Sequence, residues 1–153
     1  MAALLRFALL LLALPPMAEA AELQITRAWP EYRNADSFDR IGEYFGGVEH
    51  YPDRIVLRTQ PAQRAGYYFL VRISAPASVP EKSLWQIQLV MPGSEKPLAF
   101  TFPFDSTSSK AVYELGLTGS DWINPKARPV AWRILLLAAD GKSLASKQSF
   151  LWH

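Results

Sequence analysis

Glu43, Glu49, His50 and Asp53 fall within one short segment, and all four are side chains that hold divalent metals or move protons. Their spacing argues against either chemistry. Zinc sites bring paired ligands such as His-x-x-x-His, calcium loops bring alternating carboxylates, and neither pattern occurs here. A hydroxyl nucleophile needs a base within reach, and the candidates are His50 and His153. No Gly-x-Ser-x-Gly elbow is present, and Ser106, Ser108 and Ser109 sit in a polar turn sequence, DSTSSK. The expectation is therefore no catalytic residues, no metal site and no cofactor. A small hydrolase or metal-binding protein using the 43–53 acidic and histidine cluster is the alternative.

The same neighbourhood is rich in aromatic side chains: Trp29, Tyr32, Phe38, Tyr44, Phe45 and Tyr51. Flat apolar faces with polar rims suit a peptide or a sugar. Every basic residue from Arg27 to Arg72 is arginine, whereas the lysines begin at Lys82. Arginine is the better partner for carboxylates and aromatic rings. The candidate binding set is Trp29, Tyr32, Arg33, Arg40, Glu43, Tyr44, His50 and Tyr51. A self-neutralising network of ion pairs is the competing reading of the same charges.

These residues need a scaffold, and period-2 alternation supplies it. The runs RIVLRT (54–59), GYYFLVRIS (66–74), LWQIQLVM (84–91), LAFTFPF (98–104), AVYELGL (111–117), PVAWRILLLAA (129–139) and LASKQSFLW (144–152) read as strands. LQITRAW (23–29) adds a further candidate. Pro103 cannot donate to a ladder, so it marks a sheet edge or the end of its strand. The apolar run 129–139 suits a central strand, and Asp140-Gly141 predicts a tight hairpin with positive φ angles into the last strand. Phe38, Ile41, Tyr44 and Phe45 recur at helical spacing, with Asn34 or Asp36 to cap and Gly46-Gly47 to stop. A short helix over about 36–45 is expected, its apolar stripe docked on an open end of the fold, with Trp29 and Tyr51 stapling the segment's ends.

About seven short strands with turn signals between them predict an all-β, two-sheet sandwich. With Trp85 on an early central strand and the closing hairpin AWRILLLAADGKSLASKQSFLW, the chain resembles immunoglobulin-like and fibronectin type III-like sandwiches. That resemblance is one of architecture and implies no activity.

Met1 to Ala20 has the pattern of a secretory signal: Arg6, an apolar run from Phe7 to Leu14, then small residues before a cut after Ala20. The run is too short to span a bilayer, so no membrane span is expected after cleavage. The expected organisation is a signal peptide (1–20), an N-terminal strand and helical cap (21–53) and the sandwich (54–153), the last two forming one domain. With 0 cysteines, disulfides, thiolate metal sites and a lipidated cysteine are excluded. A net charge of +2 with no Lys/Arg stripe argues against nucleic acid. The expected address is the bacterial periplasm or beyond. The expected role is a non-enzymatic interaction or accessory module for an envelope protein partner, with a carbohydrate-binding module taking a polysaccharide as the alternative.

Overall fold

The computed structural model describes residues 21–39, 43 and 46–153, and the expected signal segment lies outside them. Eight strands form: β1 Ile25–Arg33, β2 Ile55–Arg58, β3 Gly66–Ile73, β4 Leu84–Val90, β5 Leu98–Pro103, β6 Val112–Thr118, β7 Ala131–Leu137 and β8 Ser143–Gln148. They make two four-stranded sheets, ordered β1-β3-β6-β2 and β5-β4-β7-β8. The all-β sandwich is as expected, with one strand more than the seven anticipated because 23–29 does join the sheet. Pro103 ends the edge strand β5, and β7 is internal, flanked by β4 and β8. Among the described residues no helix is long and apolar enough to cross a membrane.

The core is filled by the alternate residues of each strand. Tyr67, Phe69, Val71 and Ile73 of β3 and Tyr113, Leu115 and Leu117 of β6 meet Trp85, Ile87 and Leu89 of β4 and Ile134 and Leu136 of β7. Aromatic contacts tie the layers together. The ring centroids of Trp85 and Tyr113 lie 5.3 Å apart, and Tyr67 stacks on Trp122 at 4.5 Å. The hairpin between β7 and β8 turns as expected, but only Gly141, at φ 85, takes a positive φ. The Gly141 N–H donates to the Ala138 carbonyl at 2.9 Å and closes the turn one residue earlier. Such a turn needs a left-handed residue only at its last position.

Two features depart from the expected plan. The strand beside β6 is β2, drawn from between β1 and β3 and running parallel to β6, with Val56 opposite Glu114 and Arg58 opposite Gly116. In an immunoglobulin constant-type sheet that flank is held by a strand from later in the chain. The second departure is the helix over 36–45. Ala35–Phe38 makes a single 3-10 turn and Asp39 leaves it in extended conformation, at φ −65 and ψ 132, so no continuous helix starts at 36. Arg40, Ile41, Gly42, Tyr44 and Phe45 lie outside the described residues.

The segment after β1 does dock, but on a face and not on an open end. Phe38 is 1% exposed and its ring lies 4.7 Å from that of Tyr68. Alternation points Tyr68 away from the core, yet it too is buried, because Phe38 and Arg58 lie against it on this part of the first sheet. Tyr68 lies flat on β6 across Gly116, where a Cβ would come within 2.4 Å of the ring. Only glycine leaves room for that packing.

Candidate functional site

The outer face of the first sheet carries Arg33, and Glu43 pairs beside it with Arg64. On β1, Arg27, Trp29, Glu31 and Arg33 share that face. Register sets them against β3: Arg27 opposite Arg72, Trp29 opposite Leu70, Glu31 opposite Tyr68 and Arg33 opposite Gly66. Leu70 in turn faces Glu114 on β6. The covering segment divides the face into two parts.

In the covered part every arginine has an acid. Glu114, whose side chain is 2% exposed, accepts from Arg33 Nη1 at 2.8 Å and from Arg54 Nη1 at 2.5 Å. Two guanidiniums compensate one buried carboxylate, which is the condition under which such burial is tolerated. Arg58 donates to Glu49 at 2.7 Å and to the Tyr68 hydroxyl at 2.7 Å. Arg64 reaches Asp39 at 3.0 Å and Glu43 at 2.6 Å, with Glu49 at 3.4 Å. Arg33 and Arg58 also stack over the ring of Phe38, at 4.0 and 4.8 Å from its centroid. Stacked cations of this kind contribute about 0.5–2 kcal/mol each. Phe38 is thus held by two guanidiniums and the Tyr68 ring.

The ionisation of these groups follows the geometry. Burial pushes the Glu49 carboxyl up, but the hydrogen bonds from Arg58 and Tyr51 and the charges of Arg58 and Arg64 outweigh it and hold it below the usual value of 4.5. Burial, and then the hydrogen bond to Glu49, pushes the Tyr51 hydroxyl up to about 12. Arg54 is held still more firmly protonated by its hydrogen bonds to Asp53 and Glu114.

The uncovered part differs. Arg27, Trp29, Asp53, Arg54, Leu70, Arg72 and Val112 line an open cleft of about 230 Å³, with Asp53 paired to Arg54. Trp29 is 56% exposed, and the Arg27 guanidinium lies 5.5 Å from its ring centroid. Among the described residues neither Arg27 nor Arg72 forms an ion pair, although each is the other's direct cross-strand neighbour. No family model, curated protein or solved structure matches this chain.

Of the expected binding residues that the structure describes, only Trp29 lines the cleft. Arg33, Glu43 and Tyr51 belong to the network. Tyr32 packs against the core, on the inner side of β1. His50 is exposed, and Arg40 and Tyr44 lie outside the described residues. Trp29 does not staple the segment as expected, since it points into the open part of the face. Glu43 and Glu49 face guanidiniums, and among the described residues no group of three acidic, histidine or cysteine side chains is arranged to hold a metal ion. Arg27, Leu70 and Arg72 were not singled out in the sequence. The signal for Arg27 was present, because alternation in TRAWPEYR puts it on the same face as Trp29.

Proposed function

We propose that this protein is an exported, non-enzymatic β-sandwich that works as an interaction or accessory module of the bacterial envelope, contacting a protein partner through the uncovered face of β1 and β3. The observation that carries this reading is Trp29, more than half exposed in a cleft rimmed by arginines. Tryptophan and arginine are the residue types in which interface hot spots are most enriched. Trp29 takes no part in the core, since Ala28 and Tyr32 make inward contacts of β1. The carboxylates nearest to forming a catalytic or metal cluster are engaged by arginine, which favours binding over hydrolysis.

The test is a photo-crosslinking amino acid placed at position 29, at position 72, or at position 98 on the edge strand of the other sheet, in cells that express the protein. A discrete adduct from 29 and 72, absent from 98, is expected. Adducts of equal yield from all three positions, or none from 29, would remove the proposed surface.

A further inference from the structure

We infer that the group this face receives is an acidic segment of the partner protein, whose carboxylates bridge Arg27 and Arg72 while an apolar side chain lies on Trp29. This deepens the interaction reading above and rests on it. Arg27 and Arg72 stand directly opposite each other on neighbouring antiparallel strands. Like charges in that position repel and destabilise a sheet. Six residues away along the same surface, Arg33 illustrates the alternative, a guanidinium given a carboxylate of its own at 2.8 Å. The fold therefore has the means to neutralise arginines on this face and leaves this pair open.

The chemistry of the pair selects its ligand. A guanidinium is a planar fork that can donate two hydrogen bonds to one carboxylate, which lysine cannot, and two of them stand on adjacent strands here. Arg54 also lines the cleft but is already committed to Glu114 and Asp53, so among the described residues the cleft's arginines without an ion pair are Arg27 and Arg72. Leu70 and Val112 make an apolar floor beside Trp29, sized by the cleft's volume of about 230 Å³ for one side chain. An anionic membrane surface fits less well. Each basic residue near such a surface contributes about 1 kcal/mol, and two free arginines fall short of stable attachment.

The experiment follows the Trp29 indole N–H and the arginine Nε–H resonances of the purified, isotope-labelled protein. The probes are a blocked Glu-Glu-Tyr-Glu-Glu peptide, its glutamine counterpart, inorganic phosphate, and phosphatidylglycerol vesicles. Saturable shifts at Trp29, Arg27 and Arg72 with the glutamate peptide are expected, with affinity about tenfold weaker for the glutamine peptide. Arg72→Gln should abolish the shifts and Arg72→Lys should keep only part of the affinity, with the backbone spectrum otherwise unchanged. Shifts spread evenly over all exposed arginines, phosphate binding as tightly as the peptide, or vesicles binding where the peptide does not would each overturn the inference. Should the peptide fail while position 29 still gives its crosslinked adduct, the interaction surface stands and its acidic partner falls.

Discussion

Two halves of one sheet face carry the same residue type to opposite ends. Under the 34–53 segment, Arg33, Arg54, Arg58 and Arg64 each meet a carboxylate, and two of them also lie on Phe38. Beside it, Arg27 and Arg72 face one another with Trp29 exposed between β1 and solvent. The covered half is a second, charged core laid on the outside of the sandwich. Within the open half the one favourable contact of this kind among the described residues is that of Arg27 with the Trp29 ring. The like-charge pair and the exposed part of the indole are costs to the free protein, and they become favourable when something else completes them.

Single side chains break the comparison most sharply at its two aromatic centres. Phe38→Ala removes the ring on which Arg33, Arg58 and Tyr68 converge and should cost about 3–5 kcal/mol in equilibrium urea unfolding. Trp29→Ala should change stability by no more than about 0.5 kcal/mol, as for a surface residue. Similar losses for the two variants would mean that Trp29 is a structural residue and that the halves do not differ.

A smaller effect separates the halves by pH. The Glu49 carboxyl is held below 4.5 in the folded protein, so it contributes stability that is present above that pH and is lost as pH falls through the folded value. Tyr51 is raised from 10.0 to about 12, so its contribution is present below pH 10 and is lost as pH rises toward 12. Stability of the covered half should therefore form a plateau between these limits. Glu49→Gln should flatten the acid side of the urea midpoint profile, and Arg72→Gln should leave it in place. An acid limb that is the same in Glu49→Gln and the parent protein would show that the network does not govern it.

Much of the fold was legible from periodicity. The alternation in LWQIQLV put Trp85, Ile87 and Leu89 inward, and Pro103 marked an edge, because these are consequences of strand geometry and a missing N–H. Alternation says which residues share a face, however, and not what covers that face. Tyr68, Glu114 and Gly116 therefore read as solvent-side positions, although all three are buried, Tyr68 by Phe38, Glu114 by Arg33 and Arg54, and Gly116 by the Tyr68 ring. The parallel pairing of β2 with β6 is equally invisible locally, since no turn joins those strands. Helical spacing of Phe38, Ile41 and Phe45 suggested a helix, but Phe38 is fixed by rings and guanidiniums from β1, β2 and β3. Asp39 then extends to reach Arg64 instead of continuing the turn. Of the site, Trp29 was evident from its type, whereas the Arg27 and Arg72 pair exists only through cross-strand register.

Paired substitutions of matched charge test the division of this face most directly. Arg33→Gln with Arg54→Gln strips both cations from buried Glu114, and Arg27→Gln with Arg72→Gln strips both from the open cleft. Measured by urea unfolding at neutral pH, the first pair should lose about 3–5 kcal/mol, the cost of leaving a buried charge uncompensated. The second should change stability by no more than about 1 kcal/mol, because relief of the cross-strand repulsion offsets the lost contact of Arg27 with Trp29. A loss from the cleft pair equal to that from the Glu114 pair would contradict the claim that Arg27 and Arg72 are held open for a partner.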